Sequence, residues 1–383
     1  EIMPWPERIY EGLYKTSADS DKKERIPRHY STQMQVMVNT LNQMPLTESR
    51  VSGSKGISVL MANSLMFQRF PIHEGYEDPQ LANFYGLALP FLKRGVPIKT
   101  VHIENLSYKE ALAETKVLLM SYSNMKPLSP EAHTHLVDWV KSGGVLVYCG
   151  QDNDPFQSVS EWWNTKGNAY RTPSAHLFER MNMGVSPDEG IYNYGKGFVY
   201  VVRSDPKEFV LNTGSDKKLL DIVSDMYENK SKAGKLEFKN SFYLQRGAYD
   251  LVAVLDESVN DKPYVIDGVL IDLFDPKLPI YTHKEIQPGE HAFFFNISRV
   301  KDKHKPQVLA SASRIYEEEV RKDSYSFVAK SPINTTNVSR VLLPRIPRSV
   351  LVNGTNVFET RYWDSQTKTY LLEFENNPEG VSV

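Results

Sequence analysis

The chain has 383 residues, of which 40% are hydrophobic, 11% aromatic and 24% charged, a composition typical of globular proteins and long enough for two to four domains. A formal net charge of −2 gives no electrostatic attraction to nucleic acid or an anionic membrane, and no apolar run approaches the ~20 residues of a membrane helix. A single cysteine, Cys149, excludes an intrachain disulfide and a cysteine-based zinc site.

The opening EIMPWPERIY carries neither an initiator Met nor a signal peptide and reads as a cut inside a larger protein. After a polar stretch over Thr16 to Arg28, the residues Met34, Met37, Val38, Leu41 and Met44 recur at helical spacing. This stripe predicts a helix lying by its apolar face on another surface, either the next domain or a preceding one. From Lys55 to Phe156, four apolar runs alternate with helical patterns: GISVLM, VPIKTVHI, KVLLMSYS and SGGVLVYCG. Strands alternating with helices imply right-handed crossovers and a parallel sheet covered on both faces. In such sheets ligands sit beyond the carboxyl ends of the strands. Those ends carry Asn63 and Ser64, Glu104 and Asn105, Ser121 to Ser123, and Cys149 to Asp154.

The helical pattern over Gln80 to Arg94 contains Pro90, which is expected to kink or split it. Ser129 is the expected cap of the next helix, with Pro130 at its first position, and Gly143-Gly144 ends that helix before a strand. Gln157 to Tyr194 is a long, weakly periodic excursion of a kind that is usually functional or packed on a neighbour. A strand over Gly197 to Val202 and a helix around Leu219 to Tyr227 complete the sheet. After Lys235 the period changes to two, with strand runs separated by Gly, Asp, Asn and Pro turns. Two small β-sandwiches, or one larger one, fit this pattern.

Each candidate for chemistry has a plainer competitor. Cys149 ends a strand before Gly150, as a nucleophile would. However, Tyr148 replaces the small residue such an elbow needs, and a buried core thiol is the commoner case. Asp152, Asn153 and Asp154 offer oxygen ligands, yet Asp before Pro155 is first a helix cap. His133 and His135 lie two apart on a helix, cannot share one metal, and are expected at the surface. Trp162 and Trp163 can stack on a sugar or anchor their loop; Trp363, beside Asp364, offers the same choice. Gly195-Lys196-Gly197 is a turn, not a phosphate loop. The acids are scattered, and no spacing singles out a pair of glycosidase carboxylates.

The order of elements and the phrase PLSPEAHTHLVDWVKSGGVLVYCG resemble the glutamine-amidotransferase-like domain behind the barrel of β-galactosidase-like glycoside hydrolases. In glycoside hydrolase family 42 this is the trimerisation domain, which keeps the amidotransferase fold without its chemistry. MPWPERI resembles a last barrel strand, with its final helix following. RGAYDLVAVLDE, VLIDLFDPKLPI and VLLPRIPRSVLVNG resemble the closing β-sandwiches of such enzymes.

The resemblance implies four segments. These are a barrel remnant and linker helix over 1–50, a flavodoxin-like, class I glutamine-amidotransferase-like α/β domain over 54–232, and β-sandwiches over 233–304 and 305–383. It implies a non-catalytic C-terminal region that serves oligomerisation and shapes a carbohydrate cleft, with the catalytic carboxylates on an absent barrel. The β modules are longer than family 42 would have, which points to a related family. Trp5 and Glu7 are candidates for lining a sugar subsite, and Arg69, Phe70 and the Trp162 loop for walling the cleft. No cofactor or metal is implied. The implied partners are a carbohydrate, through the missing domain, and further copies of the chain; the implied location is periplasmic or extracellular, with the cytoplasm left open. Two other readings stand beside this one: an amidotransferase- or hydrolase-like enzyme using Cys149, and a carbohydrate-binding module carried by the β domains.

Overall fold

The computed structural model describes residues 13–15, 23–25, 27–46, 49–66 and 82–383. The described residues form two compact units, one within Ser52–Phe242 and Leu255–Asp261, the other within Tyr243–Val254, Lys262–Val383 and the described residues up to Val51.

The first unit is a six-stranded sheet built from β1 (Ile57–Met61), β2 (Ile98–His102), β3 (Val117–Met120), β4 (Val145–Cys149), β5 (Gly190–Tyr194) and β6 (Gly197–Val202). Its strand order is β2-β1-β3-β4-β6-β5. All neighbours run parallel except β5, which pairs antiparallel with β6 at the edge. The chain leaves β1 for β2 on one side and returns to β3 on the other, so the order reverses between β1 and β3.

Every residue of β4 is buried, because successive side chains point to opposite faces and both faces are covered. Val145, Val147 and Cys149 join the core formed with Leu87, Phe91, Leu219 and Val223. Leu146 and Tyr148 join Leu136, Val140, Leu177 and Phe178 on the other face. Edge strand β5 lies inside the expected excursion; its half-exposed pattern lacks the apolar run that marks a central strand.

Two local expectations are corrected. The helix Ala82–Leu92 is not split at Pro90. The lost donor falls in the last turn, where burial of Leu87, Ala88 and Phe91 outweighs one backbone bond. The next helix starts at Glu131 with no side-chain cap; the Ser129 hydroxyl instead bonds the Glu131 carboxyl and draws its pKa down.

The second unit is antiparallel throughout. One sheet takes β7 (Ser241–Arg246), β8 (Tyr249–Val254), β9 (Tyr264–Asp272), β10 (Ile280–Ile286) and β11 (His291–Asn296) in the order β10-β9-β11-β8-β7, closed by the short strand Arg50–Val51. A second joins β12 (Gln307–Ser311), β15 (Thr336–Leu342) and β16 (Thr369–Glu375), with Trp363–Asp364 at its edge. A third joins β13 (Arg314–Val320), β14 (Tyr325–Lys330) and Val381–Ser382. The first two sheets share one core, in which Tyr249, Ile271 and Phe293 meet Leu309, Ala310 and Val338.

The N-terminal helix, Arg28–Gln43, adds Val36 to that core, and its orientation reverses the expectation. Its buried face is Ser31, Thr32, Gln35, Val36, Asn39 and Thr40, while Met34, Met37 and Val38 are half-buried and Leu41 is 45% exposed; of the expected stripe Met44, just past the helix, packs against the core. Polar side chains anchor it: Thr32 Oγ1 donates to Thr336 O at 3.0 Å, Asn39 Nδ2 to Ser311 O at 3.4 Å, and Gln35 Oε1 accepts from Ser331 Oγ at 2.7 Å. Among the described residues no helix is long and apolar enough to cross a membrane, and no group of His, Cys, Asp and Glu is placed to hold a metal ion.

Candidate functional site

The carboxyl ends of β3, β4 and β6 converge on a dense polar layer. Lys126 and Asp154 are its centre: Nζ lies 3.0 and 2.9 Å from the two carboxylate oxygens, with side chains only 1% and 2% exposed. Nζ also donates to Tyr122 O, and the carboxylate further accepts from Phe156 N at 3.1 Å and Gln157 Nε2 at 2.6 Å. Asp154 thus caps the short helical turn Pro155–Ser158, as its place before proline suggests. Burial lowers the Lys126 pKa despite the neighbouring carboxylate.

Asp205, buried after β6, accepts from Ser123 Oγ at 2.6 Å and from Gln151 N at 3.2 Å. Asp152 has a positive φ of 57°, a conformation costly for a non-glycine residue unless its surroundings enforce it. Here Tyr148 Oη donates to Oδ1, and Arg203 Nη1 lies 2.9 Å from Oδ2. Burial raises the Asp152 pKa, against the opposing pull of Tyr148, Ser174 and Arg203.

Cys149 is fully buried, forms no side-chain hydrogen bond among the described residues, and has its thiol pKa pushed far up by burial. Burial of this kind disfavours the thiolate that a nucleophilic cysteine requires. The histidines lie elsewhere. His133, expected at the surface, is completely buried. Its Nε2 is 2.7 Å from Tyr122 Oη and its Nδ1 is 2.8 Å from His176 Nδ1. Trp162 packs edge-on against both imidazoles. Burial holds His133 neutral, with a pKa well below the ordinary value.

Trp163 is fully buried and donates to Gln157 O at 2.9 Å; Trp162 is half-buried and donates to Pro127 O at 2.9 Å. These indoles pin the loop to the layer beneath it. Trp363 is half-buried and packed beside Tyr370 and Leu372. Trp5, Glu7, Arg69 and Phe70 lie outside the described residues.

Beside this layer lies a recess of about 610 Å³. Gln151, Asp152 and Asn153 line it from the end of β4, Tyr170 and Arg171 from the loop before the Pro173–Arg180 helix, and Arg203 from the end of β6. Of this layer, Asp152, Asn153 and Asp154 stood out in the sequence. Lys126, Arg203, Asp205 and His176 did not, because their partners are 28, 51, 82 and 43 residues away.

No protein-family model matches the chain, and no curated protein matches it. Solved structures with a similar arrangement include a β-galactosidase from Bacillus circulans sp. alkalophilus, at 10% identity and a TM-score of 0.44 over 74% of this chain and 48% of that one. A GH42 β-galactosidase from G. stearothermophilus is similar at 14% identity and a TM-score of 0.39, over 63% and 40% of the two chains. A β-galactosidase from the haloarchaeon Halorubrum lacusprofundi is similar at 12% identity and a TM-score of 0.39, over 70% and 42%. The chain therefore spans less than half the length of each of these three structures.

Proposed function

We propose that this chain is a non-catalytic region of a β-galactosidase-like glycoside hydrolase, serving assembly and the shaping of a carbohydrate cleft beside a separate catalytic barrel. The observation that carries the reading is the N-terminal helix. It is anchored to the β unit by Thr32, Gln35 and Asn39, leaves Met34, Met37 and Val38 only half-buried and leaves Leu41 exposed. A partly exposed apolar stripe beside a buried polar face suits a helix with a second neighbour. The barrel that precedes this segment in the resembling enzymes is the neighbour we assign to it.

The strand-end layer supports the same reading. Lys126, Asp152, Asp154 and Asp205 are committed to partners within the layer, and Cys149 is buried with no side-chain hydrogen bond among the described residues. The strand order β2-β1-β3-β4-β6 suits an amidotransferase-like domain that has kept its scaffold without its chemistry.

The test compares this chain with a longer parent that includes the barrel, on a panel of chromogenic glycosides. The reading expects turnover from the parent alone. Turnover by this chain would overturn it. In the same preparations, Met37→Glu with Leu41→Glu should leave the shorter chain folded and lower the thermal stability of the longer one.

A further inference from the structure

We infer that the recess beside β4 is a binding site for an acidic sugar, a hydroxyl-rich ring bearing one carboxylate, with Arg171 receiving the anion. The argument starts from which lining groups are already occupied. Arg203 is spent: Nη1 bonds Asp152 and Gly150 O, and Nε and Nη2 bond Pro187 O at 3.1 and 2.5 Å. Asp152 is likewise held by Arg203 and Tyr148. Together they form a neutral, rigid wall.

Arg171 differs. It lines the same recess, is exposed, and makes no hydrogen bond or ion pair among the described residues. Its planar donor fork matches a carboxylate in two parallel bonds. The rest of the lining suits a ring with hydroxyls. Asn153 Nδ2 donates to Gln151 Oε1 at 3.0 Å, and Gln151 Nε2 donates to Glu208 at 2.9 Å. This amide chain is oriented, and it leaves the Asn153 carbonyl oxygen without a protein donor among the described residues. Tyr170 adds an aromatic wall, its hydroxyl fixed on Glu179 at 2.5 Å. Convergent polar groups, fixed before a ligand arrives, around one unpaired charge are the features of a small-ligand site. The Glu179 and Glu208 carboxylates are engaged by Tyr170 and Gln151, which leaves Arg171 as the one cationic group among the lining residues that is not bound to a protein acceptor.

The choice of a sugar rests on the proposed glycosidase reading; the choice of an anion rests on Arg171. The experiment therefore uses the 383-residue chain with galacturonate, glucuronate, galactose and acetate as probes, followed by saturation-transfer NMR and titration calorimetry. The expected result is saturable binding of a hexuronate, weaker or absent binding of galactose and acetate, and a loss of about tenfold or more in Arg171→Gln, the usual cost of a missing charge-assisted bond. Asn153→Ala should also weaken the hexuronate. Arg171 is exposed, so Arg171→Gln should fold normally, and its circular dichroism checks that. Equal binding of galactose and hexuronate, binding indifferent to Arg171→Gln, or no binding at all would each overturn the inference. Hydrolysis by the longer parent is scored separately, so the recess and the glycosidase reading fail independently.

Discussion

Asp154→Ala probes the buried layer most directly, because it leaves the Lys126 ammonium enclosed with Tyr122 O as its remaining acceptor. At an effective dielectric of about 20, charges 2.9 Å apart attract by ~6 kcal/mol before desolvation is counted. Breaking one side of a buried pair typically costs about 3–5 kcal/mol. The Phe156 amide and the Gln157 side chain lose an acceptor as well. The penalty has a ceiling, since Lys126 can release its proton instead. From an ordinary pKa of 10.5, neutralisation at pH 7 costs 3.5 units at about 1.4 kcal/mol each, or ~5 kcal/mol. That ceiling falls as pH rises, because the neutral amine becomes cheaper to form.

Unfolding in urea, followed through the fluorescence of Trp139, Trp162 and Trp163, should therefore show Asp154→Ala less stable by ~3–5 kcal/mol at pH 7. Where proton release sets the deficit, it should shrink by about 1.4 kcal/mol per unit towards pH 10. Replacing both partners, Lys126→Met with Asp154→Leu, should recover most of the loss. A deficit under about 1 kcal/mol at pH 7 in the single variant, with no pH dependence, would refute the description of this pair as buried and mutually required.

Gly86→Ala should destabilise the α/β unit by about 1–3 kcal/mol although alanine is the better helix former; a Cβ there would lie 1.8 Å from Pro206 O. Equal or greater stability would mean that this approach relaxes freely. His133 is held neutral in the fold and titrates near 6.5 when unfolded, so below that pH the unfolded chain binds the extra proton. Stability should fall from pH 6.5 downwards, by up to ~1.4 kcal/mol per unit for this group, and His133→Gln should flatten that part of a melting-temperature profile. Cys149 should resist a thiol reagent such as DTNB in the native chain and react fully in denaturant; rapid native labelling would revive the nucleophile reading.

The α/β unit is largely legible in the sequence. Strands such as Val117–Met120 and Val145–Cys149 are buried on both faces, so they must be continuous apolar runs, and such runs stand out between helical patterns. The Asp154 cap was legible for a similarly local reason, since its acceptor, its donor at Phe156 and the intervening proline span three residues. Periodicity misled at the N-terminal helix. Helical spacing alone places Met34, Met37 and Leu41 on the face expected to pack, yet the β sheets offer backbone carbonyls to which Thr32 and Asn39 donate. His133 was misplaced because a polar residue on the buried stripe looks external until Tyr122 and His176 are seen to receive it. Local order and covering follow from short-range patterns that each segment carries by itself. The pairing of Lys126 with Asp154, the fixing of Asp152 by Arg203 and the freedom of Arg171 depend on which loops the sheet brings together, and only the tertiary structure decides that.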